Sequence, residues 1–214
     1  LLTGAPLCRI TTDIELEVTG PTGFLFLPLP VSSGTVLEGY NSSASSSPKW
    51  WEQGCPVLST NHTTQYNPNF PKSMFMFTLE PGGIIQNLRL RGASCNFQDY
   101  NGDQKLCAGI YVGDDWGASA AIVANCEISC FSYAGFFKSP RPRHVILESC
   151  YVHKIKANGN APGLGYGSWT QGVFKAQQAE GEIDYENVIF DDCKAAIDGQ
   201  GYPNNWNINN CSFT

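Results

Sequence analysis

Charge is scarce in this sequence. Asp, Glu, Lys and Arg make up 15% of its 214 residues, and there are only three histidines and two methionines. Long surface helices are laced with i, i+4 charge pairs, so this scarcity argues against a helical protein. Positive charge is the minority sign, with 13 Lys and Arg against 19 Asp and Glu, a net charge of -6 and a pI near 5.0. Such a chain lacks the basic footprint that holds a phosphate backbone, which excludes nucleic acid as an expected partner. No apolar run approaches the roughly 20 residues needed to span a bilayer. The most apolar stretch, 24–31, is broken by Pro28 and Pro30. The paired CxxC spacing of zinc sites and the CxxCH of haem attachment are also missing.

What is present points to turns and short strands. The chain has 22 Gly, 13 Pro and many Asn and Ser, the composition of an all-β protein. Nine cysteines without metal spacing favour an oxidising compartment, and because nine is odd at least one thiol is left without a partner inside the chain. Sequons at Asn41, Asn61 and Asn210 agree with an extracellular or cell-surface location and mark glycosylation candidates.

The length suits a single domain, 1–214, in three parts. Residues 1–39 contain short strands at Ile14–Val18, Phe24–Leu27 and Thr35–Leu37, separated by Gly- and Ser-rich turns, and read as an N-terminal cap and first coils. Residues 40–73 read as a long loop excursion rich in Ser, Asn and Pro, in which the adjacent Trp50 and Trp51 are interface candidates. Residues 74–214 read as regular coils.

The coils are visible as an internal repeat: apolar positions, a polar residue, a small or Cys position, then another strand. The copies begin at Ile85, Val123, Leu147, Phe190 and Ile208, which stacks Leu88, Cys126, Cys150, Cys193 and Cys211 at intervals of 38, 24, 43 and 18 residues. Such spacing fits a coil of about 18 to 24 residues, doubled or carrying an insertion, as in a solenoid. The polar residue before each stacked position marks a corner, where Asn adopts the left-handed conformation at little cost and can bond to the next coil. Coils about 4.8 Å apart bring cysteine Cα atoms within bonding reach but with poor Cβ geometry, so Cys126, Cys150, Cys193 and Cys211 read as a buried thiol ladder. Cys95 and Cys107 flank a turn-rich excursion and are the disulfide candidates. The last strand reaches Thr214 without a polar cap, so the sequence predicts a longer native chain or a neighbouring subunit over that end.

The segments Cys150–Lys156, Gly163–Gly167, Ile183–Phe190 and Ala196–Gly201 resemble the right-handed parallel β-helix repeat family, the pectate-lyase-like superfamily. The resemblance covers about residues 80–214, and His153 with the Gly-Tyr-Gly of 165–167 is its most specific part. It implies an all-β, right-handed parallel β-helix with a long loop insertion, secreted or surface-displayed, in a superfamily with many polysaccharide-active members. Some sequences of this type carry Arg-His where this one has Lys194-Ala195, which implies that the chemistry of that pair is missing.

Candidate chemistry is thin. Asp114-Asp115 is similar to the paired aspartates of polygalacturonase-like glycosidases, but the accompanying motifs of that family are absent, so a solvated turn is the competing reading. His153 and Lys154 are the other catalytic candidates: the histidine could orient a substrate or simply be a satisfied structural residue, and Lys154, Lys156 and Lys175 are the bases available to a lyase. Asp191-Asp192 sits in a coil corner and could join a Ca²⁺ site, the one cofactor under consideration. Tyr166, Trp169 and Tyr202, placed in Gly-rich loops, are glycan-contact candidates if exposed. Two functions follow. One is a noncatalytic surface or appendage protein that contacts glycans or neighbouring subunits and self-associates into a homo-oligomer. The other is a secreted polysaccharide lyase or glycoside hydrolase.

Overall fold

Short runs with alternating apolar residues bury one face of each strand, and a polar residue able to take positive φ lets the chain turn after three to five residues. That grammar produces the architecture of the computed structural model, which describes residues 7–16, 28–40, 55–61, 64–65, 75–93, 105–113, 117, 119–139, 144–155, 166–171, 181–200 and 205–214. The described residues contain strands and no helix. In chain order the first are β1 (Leu7–Ile10), β2 (Ile14–Leu16), β3 (Leu29–Val31), β4 (Val36–Gly39), β5 (Val57–Thr60), β6 (Thr64–Gln65) and β7 (Phe75–Leu79). Then come β8 (Ile84–Gln86), β9 (Arg89–Arg91), β10 (Lys105–Leu106), β11 (Ala108–Val112), β12 (Ala121–Ala124), β13 (Glu127–Ser129) and β14 (Ala134–Lys138). The last are β15 (His144–Glu148), β16 (Tyr151–His153), β17 (Tyr166–Gln171), β18 (Glu182–Glu186), β19 (Ile189–Asp191), β20 (Ala195–Gln200), β21 (Asn205–Asn209) and β22 (Ser212–Phe213).

These strands form three all-parallel sheets. Sheet A is β1-β4-β8-β12-β15-β18-β21, sheet B is β2-β5-β9-β13-β16-β19-β22, and sheet C is β3-β7-β11-β14-β17-β20. From β7 on, each coil visits C, A and B in turn, and every strand pairs with its counterpart one coil away, the arrangement of a parallel β solenoid. A separate antiparallel pair joins β6 to β10. The inward residues form one continuous core: Leu37, Ile85, Val123, Leu147, Ile183 and Tyr185 from sheet A; Leu58, Leu90, Ile128, Val152 and Phe190 from B; Val31, Phe77, Leu79, Ile110, Val112 and Phe136 from C.

The corner between A and B is occupied by Asn87, Asn125, Ser149, Asn187 and Asn210, all at positive φ between 50° and 56°. Asparagine enters this region readily because its short amide can bond locally. The coil-to-coil bond here runs through the main chain: the amides of Asn87, Asn125, Ser149 and Asn187 donate to Ala124, Glu148, Glu186 and Asn209 carbonyls. A second left-handed corner, where the chain leaves sheet B, holds Cys130, Lys154 and Asp192 at φ 61°, 54° and 51°.

Three expectations are corrected. Cys193 is not part of the cysteine stack: β16 pairs with β19 as Tyr151↔Ile189, so Val188 follows Cys150 and the intervals become 38, 24, 38 and 23 residues. The cause is that both corners read apolar, polar, left-handed residue, inward residue, and Phe190–Cys193 matches the second corner as well as Tyr185–Val188 matches the first. The excursion at 40–73 is interrupted by β5, a full member of sheet B with Leu58 in the core, and by β6. Tyr166 and Trp169 belong to β17, paired on both sides within sheet C, rather than to Gly-rich loops.

Candidate functional site

On sheet B the inward residues Leu90, Ile128, Val152 and Phe190 alternate with outward ones, and parallel pairing stacks the outward ones into two columns. The first reads Arg89, Glu127, Tyr151, Ile189, and the second Arg91, Ser129, His153, Asp191. Side chains in neighbouring coils therefore meet without any loop to position them.

Glu127 is the hub. One of its oxygens takes the Arg89 Nε hydrogen bond, and the other lies 2.8 Å from His153 Nε2. Its side chain is only 10% exposed, and burial raises its pKa, yet the hydrogen bonds from His153 and Arg89 outweigh that and leave it below the ordinary glutamate value. An ionised carboxylate only accepts, so His153 carries a hydrogen on Nε2. The His153 ring stacks on Tyr151 with centroids 4.1 Å apart and planes within 10°. Tyr151 in turn donates its hydroxyl to Asp191 Oδ2 at 2.8 Å. Burial first, then that bond to an anion, pushes the phenol up to about 12. Asp191 is held below the usual aspartate value chiefly by the Tyr151 bond, and its Oδ1 also accepts from Thr214 Oγ1 at 3.2 Å.

Beside this network is a cavity of about 190 Å³ lined by Val57, Arg89, Arg91, Glu127, Ser129, Cys130, His153 and Lys154. Lys154 and Arg91 are exposed, and neither has a side-chain partner among the described residues.

The sequence candidates separate accordingly. His153 and Lys154 fall at the cavity, whereas Asp114, Asp115, Tyr202, Lys156, Lys175, Asn41, Trp50, Trp51 and the strand expected at Phe24–Leu27 lie outside the described residues. Asn61 and Asn210 are exposed, the latter in a left-handed corner. Cys107 is a thiol whose Sγ lies 3.9 Å from the Cys130 carbonyl oxygen and 3.7 Å from Ser132 Oγ, so it does not form the expected bridge to Cys95, which lies outside the described residues. Cys130 is disulfide-bonded instead. Cys126, Cys150 and Cys211 each donate to a carbonyl of the preceding coil, Ile85, Val123 and Tyr185. Burial pushes the Cys150 thiol up to about 12 and Cys126 well above the ordinary value. Asp191 is engaged with Tyr151 and Thr214, and among the described residues no group of three or more His, Cys, Asp or Glu side chains is arranged to hold a metal.

Arg89, Arg91 and Glu127 were missed, although a signal existed. They occupy the first and third positions of the sheet B strands that follow the A–B corner, which the repeat copies align with Tyr151 and His153. Lys138 was missed too: it takes an inward position on β14, is fully buried, and has its pKa lowered to about 8 by desolvation. No helix among the described residues is long and apolar enough to cross a membrane. No family model, no curated protein and no solved structure matches the chain.

Proposed function

We propose that this chain is a noncatalytic, right-handed parallel β-helix of the pectate-lyase-like kind, displayed outside the cell, whose sheet B face contacts glycans. The observation that carries this reading is the state of the two carboxylates on that face. Glycoside hydrolysis needs one carboxyl that stays protonated to release the leaving oxygen. Glu127 and Asp191 are both held ionised by hydrogen bonds that favour the anion, so neither supplies that proton near neutral pH. A shallow cavity with an apolar wall at Val57, a hydroxyl at Ser129 and several cations suits binding of a sugar unit. The exposed Asn61 and Asn210 support an extracellular location. The buried thiols are compatible with it, because a thiol with a raised pKa is inert toward oxidation and exchange.

A lyase or hydrolase is the second reading, favoured by the His153–Glu127 contact beside Arg91 and Lys154, an arrangement that could orient a base. The deciding experiment incubates the purified protein with acidic and neutral polysaccharides, with and without Ca²⁺, following reducing ends, unsaturated products and binding. Binding without turnover is expected. Turnover lost in both His153→Ala and Glu127→Gln would establish the enzyme instead.

A further inference from the structure

We propose that the sheet B cavity is a subsite for a single oxyanionic group, a carboxylate, sulfate or phosphate, with Arg91 and Lys154 as its contacts. The inference rests on the binding reading only for the identity of the molecule that carries the group.

The charge balance of the lining comes first. Arg89, Arg91 and Lys154 face one carboxylate, Glu127, with the donor His153 beside them. Both oxygens of Glu127 are occupied, by Arg89 and by His153, so its charge is spent on holding those two side chains in place. Arg91 and Lys154 remain uncompensated by any described side chain. Two such cations, on coils separated by the one that carries Ser129, in a protein with net charge -6 create a local field opposite to the overall one, and a concave low-dielectric wall concentrates it.

Size and shape narrow the occupant. About 190 Å³ is below the range of roughly 300 to 1,000 Å³ typical of pockets that enclose a whole drug-sized ligand. The cavity therefore takes one group or one sugar unit of something larger. Arginine offers a planar fork for two oxygens and lysine a point charge, a pair that suits an oxyanion. Both backbone positions are fixed: Leu90 and Ile155, next to Arg91 and Lys154, are fully buried, and the left-handed turn at Lys154 is one of the solenoid's regular corners. Glu127 is a positioning residue, acting through Arg89 and His153.

The test titrates the protein with inorganic sulfate, inorganic phosphate, free glucuronate and neutral methyl glucoside, following the His153 ring signals by NMR. The variants are Arg91→Ala and Lys154→Asn, the latter chosen because asparagine tolerates the left-handed corner, and circular dichroism verifies their folding. At least one anion should shift the His153 signals saturably, with affinity falling about tenfold in each variant, as for a lost charge-assisted hydrogen bond. Response to the inorganic anions alone would support the subsite while removing the glycan reading, and response to glucuronate would support both. Neutral sugar binding that ignores both substitutions would keep the glycan reading and overturn the subsite. No anion response in the folded protein up to millimolar concentrations would also overturn it.

Discussion

At the residue scale, the fold depends on side chains that accept unusual local conditions. The A–B corner requires positive φ in every coil, which costs a residue such as alanine about 1 to 2 kcal/mol and asparagine less. Asn187→Ala should therefore lower unfolding stability by about 1 kcal/mol in urea titrations, while Asn187→Gly recovers most of the loss. Lys138 is the opposite case, a charge in a core position. Its pKa in the folded state is near 8, against an ordinary 10.5. Between those values the unfolded chain binds a proton that the folded chain does not, so stability rises with pH across that window. The sign is that of a depressed lysine: the burial penalty is present in full below pH 8 and relieved above it. Urea unfolding of wild type and Lys138→Met from pH 7 to pH 10.5 should differ in slope, with the rising component absent from the variant.

At the element scale, the repeat was readable and its phase was partly ambiguous. The corners at Asn87, Asn125, Ser149 and Asn210 stand out because a polar residue is followed by an inward Leu or Cys. Asn187 was overlooked because its inward neighbour is valine, whereas Asp192 is followed by Cys193 and imitates the pattern. Local sequence cannot distinguish two corners with the same conformational need; the pairing of β16 with β19 does. The outward columns were implied by the same alignment, yet the meeting of Arg89, Glu127 and His153 required knowing that 38 and 24 residues each make one coil. The thiols supply a test at this scale. Among the described residues seven cysteines are thiols and Cys130 is disulfide-bonded. Alkylation in denaturant without reductant should label these seven, with Cys130 labelled only after reduction, and without denaturant Cys126 and Cys150 should stay unlabelled because they are buried.

At the scale of the whole molecule, the stack of coils presents core positions at its last described coil. Trp206, Ile208 and Phe213 pair in register with the buried Ile183, Tyr185 and Phe190, yet are 42%, 44% and 51% exposed. Large apolar surface in core register favours cover by a further coil or by a second chain. Where the cover is a second chain, the purified protein shows a mass above that of the monomer by light scattering, increasing with concentration. Trp206→Asp with Ile208→Asp should return it to the monomer with an unchanged circular dichroism spectrum. A wild type that stays monomeric at high concentration would remove self-association from the functional picture.

The sequence by itself determined that the chain is all-β, that it repeats, and where most corners fall, because left-handed turns and alternating burial are local demands met by particular residues. It also singled out His153 and Lys154. Only the tertiary structure decided which residues share a column, since coils of unequal length bring residues 24 to 38 positions apart into register. That pairing placed Val188 where Cys193 was expected, put β5 into sheet B, and drew Arg89, Arg91 and Glu127 to the cavity beside His153. The physical reason is that stacking is set by hydrogen bonds between coils, and the length of each excursion between them leaves no mark on the strands it joins.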